Sequence, residues 1–457
     1  MAVHEAQGEP KLKRAAGLTQ ITLFGLGSML GAGIYGLIGK AAGELGSAVW
    51  VAFLVSMVAA LLTGLSYASI ASRYPRAGGA AYVTQMAYRR PMVSDVVGLA
   101  VVCSGLTSIA TQSNVVAANI AETFGVGAPH WLLAIGFLVL LSGVLFRGIS
   151  ESLWLNAVCT LVEAFGLILV ISVGVSYWGN ANLLEFPPSD GGGGIEGPVA
   201  LLVMQGAVLT FFSFIGFEDM LNVSEEVKNP ERTMPLAFIL AILAATLIYI
   251  AVSITAVSVV PWQELAEAAG PLTLVVERAA PWFPVGVFAA ITIFAVANTA
   301  LVNYVMASRL LYGMSRQGLL PAPLGRVHKA RHTPYVAIFV LLAIVILLSL
   351  LGDIAALASS TVLLLLMVFT IVNVALIVLK RRPDDKPGKF EVPAIVPALG
   401  ALSCAALLIV RIAEGDWTAP LIAGGLVVAI VILYFVTGAG DEAVSYTHLT
   451  LPTILLV

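Results

Sequence analysis

Three polar residues stand in register inside an apolar run: Asn156, Thr160 and Glu163. Their i, i+4, i+7 spacing places them on one face of a helix. Counted from Ser152, Glu163 lies about 16 Å along that helix, near the midplane if the segment spans a bilayer. An ionisable group at that depth marks a functional site by default. Such a carboxyl could carry a proton, accept a sodium ion together with Asn298 or Thr299, or pair with a basic group. The plainer alternative is a neutral glutamic acid hydrogen-bonded within a helix bundle.

A second pattern concerns backbone chemistry. FGLGSMLGAGIYGLIG carries glycines at 25, 27, 31, 33, 36 and 39, and FFSFIGFEDMLN carries Gly216 followed by Glu218 and Asp219. Gly25, Gly27, Gly36 and Gly39 read as close-packing positions. The runs Gly31-Ala32-Gly33 and Ile215-Gly216-Phe217 fall at matching depths of two segments about 180 residues apart. Paired glycine interruptions in corresponding segments point to an inverted-repeat transporter with discontinuous helices. Unwound backbone survives in a membrane only where it lines a cavity or binds something. Freed N–H groups at the start of a half-helix suit a carboxylate, and freed carbonyls suit an ammonium or a cation. Glu218, just beyond the second interruption, reads equally as an acid at a helix start or as a gating group.

Those residues need a membrane around them, and composition supplies one. Of 457 residues, 59% are hydrophobic and 11% charged, with a mean hydropathy of +0.99. No soluble domain hides that much apolar surface. A formal net charge of −3 gives no reason to expect nucleic acid. Cys103, Cys159 and Cys404 lie in apolar stretches with no paired spacing, so neither a disulfide framework nor a metal site is expected.

Segments of roughly 20 apolar residues read as spans at 18–39, 46–71, 93–121, 131–147, 152–177, 198–222, 235–259, 283–312, 335–351, 354–379, 394–412 and 417–437. The expected architecture is therefore all-α: a cytoplasmic tail (1–17), a ten-helix transport core (18–379), two further helices (380–437) and a C-terminal tail (438–457). The sequence AVSYTHLTLPTILLV at the end breaks the compositional pattern and is set aside from fold reasoning. With both termini in the cytoplasm, 20 of the 23 lysines and arginines fall inside, and only Lys40, Arg278 and Arg411 fall outside. The opposite orientation reverses that ratio, so the positive-inside rule places both termini in the cytoplasm. Residues 73–91 read as a loop with a short interfacial helix, and 261–282 as an external loop with one short helix bounded by prolines.

At GLGSMLGAGIYGL (25–37), ASRYPRAGGAAY (71–82), FFSFIGFEDMLNVSEEVKNPERTMP (211–235) and SRLLYGMSRQGLLP (308–321), the chain resembles the amino acid–polyamine–organocation (APC) superfamily. The resemblance covers 18–437 and implies a LeuT-type core, five helices repeated in inverted order, with helices 1 and 6 discontinuous. It implies that the N–H groups of Ala32 and Gly33 bind a substrate carboxylate, with Gly31 among the substrate-binding residues. Carbonyls of Met29 and of Phe212, Ser213, Phe214 and Ile215 would take the amino group. Phe212 matches the aromatic lid of the family, with Phe214 its neighbour, and an acid at Glu218 is associated with pH response and gating. Many members resembling this chain place a lysine, standing in for sodium, at the position of Glu163. This departure puts the lysine-based mechanism in doubt and leaves Glu163, with Asn298, for coupling.

The function expected is a permease for amino acids in the cell membrane, working by proton symport or exchange. Polyamine or organic-cation transport and sodium-coupled symport stand as alternatives. The partners are then a small amino acid or amine, a proton or sodium ion, and the lipid bilayer, with no cofactor. Thr107, Ser108, Thr111, Gln112, Asn119, Thr299 and Asn303 read as cavity-lining or helix-bonding groups. An enzyme is not expected, because no intramembrane metal spacing, GxSxG or catalytic aspartate pair occurs. A channel or receptor would call for a pore motif or a large external domain, and neither is present.

Overall fold

A computed structural model of the chain describes residues 16–74, 79–147, 153–187, 199–316, 320–328, 331, 333–383 and 387–437. The set-aside C-terminal sequence lies outside these residues, as does the side chain of Asn156. In chain order the α-helices are α1 (Leu18–Met29), α2 (Ala32–Gly36), α3 (Ile38–Leu45), α4 (Val49–Arg73), α5 (Gly79–Tyr88), α6 (Pro91–Phe124), α7 (His130–Phe146), α8 (Leu153–Gly174) and α9 (Val199–Phe211). They continue with α10 (Pro230–Val259), α11 (Trp262–Glu267), α12 (Pro271–Ala279), α13 (Val285–Arg316), α14 (Tyr335–Leu351), α15 (Ile354–Lys380), α16 (Ile395–Ala413) and α17 (Thr418–Thr437). Among the described residues the one extended pairing is an isolated bridge between Ala16 and Val227.

Among the described residues ten helical stretches are long and apolar enough to cross a membrane; α7 and α14 are apolar but shorter. Backbone chemistry explains where several begin. Proline opens α6, α10 and α12, where the missing N–H is not needed and φ is already helical. Asp353 caps α15, accepting the Ala356 N–H at 2.7 Å, which separates α14 from α15 at Gly352–Asp353.

Two sequence expectations change. The segment after α10 forms two short helices, α11 and α12, rather than one, because the backbone turns extended at Ala268 and Pro271 opens a new helix. The unwound stretch expected at 31–33 sits instead at Leu30–Gly31, and Ala32 and Gly33 already belong to α2.

The helices sort by packing. α4 packs on α9 and α10, and α10 packs on α1, while α6 packs on α7, α13, α14 and α15. α8 touches both groups, through α1 and α10 on one side and α13 on the other.

Candidate substrate site

Both interruptions are present and lie against each other. After Met29 the first helix leaves α-geometry, with Leu30 at ψ 72° and Gly31 at φ −136°, ψ −143°. The second helix tightens to a 3₁₀ turn at Phe212–Phe214, extends at Ile215, and turns at Gly216 with φ +119° before a 3₁₀ stretch, Phe217–Glu226. Only glycine adopts that φ without strain. A Cβ at Gly216 would also collide with the Ser28 carbonyl, and one at Gly33 would lie 2.5 Å from the Ser213 Cα. Each interrupted helix thus brings its backbone up to the other at a position that tolerates no side chain.

The polar backbone groups follow from that geometry. The N–H groups of Ala32, Gly33 and Ile34 begin a helix and find no acceptor among the described residues, the situation that favours an anion. On the carbonyl side, Met29 O accepts from Gly31 N at 2.9 Å and from the Tyr249 hydroxyl at 2.7 Å. The same hydroxyl stands 2.8 Å from Ser213 O. A phenol has a single proton to donate, so Tyr249 satisfies one of the two carbonyls at a time. Phe212 O accepts from Ile215 N at 3.3 Å, while the carbonyls of Phe214 and Ile215 find no donor among the described residues. The Ser213 hydroxyl is buried and unpaired.

The two aromatic side chains separate. Phe214 is fully buried and packs edge-on against Tyr249, centroids 5.3 Å apart. Phe212, also buried, has no ring partner within the aromatic pairs.

Glu163 is fully buried on α8. Its Oε1 accepts from Asn298 Nδ2 on α13 at 2.9 Å, and its Oε2 has no partner among the described residues. Its backbone carbonyl accepts from the Tyr35 hydroxyl at 2.5 Å, tying α8 to α2 just past the first interruption. Thr160, one turn before Glu163, donates to Leu23 O in α1 at 3.2 Å. Thr299 faces Gly31, where an added Cβ would meet its Oγ1 at 2.6 Å. Glu218 folds back, its Oε2 accepting the Gly216 N–H at 2.9 Å, and so occupies a donor freed by the second interruption.

Residues 17–451 match the family described as amino acid permease. The chain belongs to the amino acid permease family. It is 28% identical over 423 residues to the branched-chain amino acid permease BcaP of Bacillus subtilis, covering 88% of this chain and 89% of that one. It is 29% identical to the methylthioribose transporter of the same organism, covering 87% and 89%. With human cationic amino acid transporter 4 it shares 30% over 410 residues, 83% of this chain and 62% of that protein. These relatives are transporters and permeases of the APC family, so the chain is a multi-pass membrane transporter and not an enzyme.

In this permease the structure brings Met29, Gly31, Ala32 and Gly33 together with Ser213 and Gly216, and joins Glu163 to Asn298. It does not bring Glu218 to Glu163 by any hydrogen bond. Thr111 bonds a backbone carbonyl of its own helix, and Asn119 bonds one of its own helix and Ala269 O beyond α11. The residue missed from sequence is Tyr249, whose hydroxyl reaches a carbonyl of each interrupted helix. A lone tyrosine in an apolar run carries no signal of that role.

Proposed function

We propose that this permease carries amino acids by a LeuT-type alternating-access cycle, with twelve spans, inverted five-helix repeats and both termini in the cytoplasm of the cell. The observation that carries the reading is the juxtaposition of the two interruptions. Free N–H groups of α2 face a substrate carboxylate, and the carbonyls of Phe214 and Ile215, with whichever of Met29 and Ser213 Tyr249 leaves unpaired, take the ammonium. One backbone crossing holds both ends of a zwitterion. The names of the relatives, spanning branched-chain and cationic amino acids and methylthioribose, support an α-amino acid first and leave the side chain open.

Coupling falls to Glu163. Its single donor, Asn298, leaves Oε2 free to bear a proton, and the stripe through Thr160 leads toward the cytoplasmic end of α8. Sodium coupling is the second reading, favoured by the same Oε2 beside Asn298. In reconstituted vesicles, uptake of radiolabelled leucine, arginine and alanine should follow an inward proton gradient without sodium. Glu163→Gln, which mimics the protonated state, should retain substrate exchange and lose gradient-driven accumulation. Uptake that requires sodium and ignores the proton gradient, or a variant that concentrates substrate like the wild type, overturns the assignment. Loss of exchange alongside accumulation would place Glu163 in binding instead.

A further inference from the structure

Far from the interruptions, Glu391 gathers an ion cluster in the segment after α15. Its Oε1 receives the Arg73 guanidinium from the end of α4 at 2.5 Å, and its Oε2 pairs with Lys380 at the end of α15. Ser69 of α4 adds a bond at 3.3 Å, and the Gly388 N–H one at 2.9 Å. The neighbouring residues extend the tie. Phe390 N donates to the Ser72 hydroxyl at 2.9 Å, Ser72 donates to Glu231 O at the start of α10 at 3.2 Å, and Lys389 pairs with the Glu231 carboxylate at 2.6 Å. A Cβ on Gly388 would lie 2.8 Å from the Ser72 carbonyl carbon, so residues 388–391 run in backbone contact across the end of α4.

The position of this segment matters more than its bond count. α10 packs on the interrupted helix α1, α4 packs on α10 and on the second interrupted helix through α9, and the Tyr249 hydroxyl of α10 lies within hydrogen-bond distance of a carbonyl in each interruption. α15, whose last residue is Lys380, packs chiefly on α6 and α16. Glu391 therefore joins the helices that carry the site to a helix of the other packing group, on the lysine-rich side of the chain. Partial burial pushes its carboxyl up, yet the hydrogen bonds from Arg73, Lys380 and Gly388 outweigh that and hold it below the ordinary carboxylate value, so the cluster is charged under working conditions. Charge-assisted bonds to one carboxylate, partly shielded from water, are strong enough to hold two bodies together and few enough to release as a unit.

We propose that residues 387–391 form a cytoplasmic strap, with Glu391 as its clasp, that must release for the site to open to the cytoplasm. The inference rests on transport by alternating access and not on which amino acid is carried. Two measurements test it.

In a cysteine-free background, Ser72→Cys with Phe390→Cys is oxidised in vesicles that take up a mixture of radiolabelled amino acids. Uptake and exchange should fall at least about tenfold and recover on reduction; equal uptake by oxidised and reduced protein overturns the strap. The second measurement needs no substrate. Hydrogen exchange in nanodiscs should speed up about tenfold in the cytoplasmic turns of α1 and α4 for Glu391→Gln. The swap Arg73→Glu with Glu391→Arg should return it toward wild type. Unchanged exchange in Glu391→Gln, or a swap no slower than the single change, also overturns the proposal. Wild-type vesicles that take up none of the mixture would indict the substrate reading and leave the exchange arm to decide the strap.

Discussion

Glycine 33 and glycine 25 are one helical neighbourhood apart, yet a side chain meets different things at each. At Gly33 the obstacle is the backbone of Ser213, which cannot move without moving the second interrupted helix. At Gly25 it is the thioether end of Met220, the most adaptable side chain available. Gly33→Val should therefore leave protein in the membrane but lose amino-acid binding by more than about a hundredfold, because it pushes apart the crossing that forms the site. Gly25→Ala should shift binding by less than about threefold, since repacking of a flexible neighbour costs little. Isothermal titration of the two purified variants measures both, and equal losses would mean that the crossing is only a packing contact. The sequence distinguished these glycines by context: Gly33 sits in the matched interruption and Gly25 does not. It offered no view of Met220 or Ser213.

Interrupted helices were legible as elements because glycine leaves a local mark, and because two such marks at matching depth are harder to explain than one. Their limits were less legible. Leu30 and Gly31 leave helical geometry after Met29, and short Ala32 and Gly33 rejoin helical backbone at once. The second interruption is longer because 3₁₀ turns flank Ile215 and Gly216. What holds the two at fixed spacing is a third element, α10, acting through Tyr249. Removing its hydroxyl leaves Met29 O and Ser213 O without their shared donor in a dry interior, a penalty of about 1–3 kcal/mol. Tyr249→Phe should accordingly lower thermal stability and weaken amino-acid binding by about tenfold or more, with little change in helix content by circular dichroism. A variant that binds and melts like the wild type would show that the two interruptions hold their spacing unaided.

Over the whole molecule, charge carries the information that packing does not. Ranges of the helical stretches fall within a few residues of the apolar runs except Ile38–Arg73, which begins before the run at 46–71, since the length needed to cross a bilayer is written directly in hydropathy. The pairing of Glu391 with Arg73, by contrast, joins residues 318 apart in sequence, and no local pattern announces it. Orientation belongs to the same scale. Arg73, Lys380, Arg382 and Lys389 gather at one end of the bundle, where Arg382 also donates to Met86 O at 2.7 Å and to Ala87 O, closing the end of α5. At the other end Arg278 pairs with Glu264, and Arg411 with Glu414 and Asp416. An excess of lysine and arginine at the first end predicts that it faces the cytoplasm, with α11 and α12 outside and the strap inside. In a cysteine-free background, Arg278→Cys should react with a membrane-impermeant maleimide on intact cells. Lys389→Cys, which is more exposed than Arg278, should react only after permeabilisation. Labelling of position 389 in intact cells would invert the molecule and move the strap to the outer face.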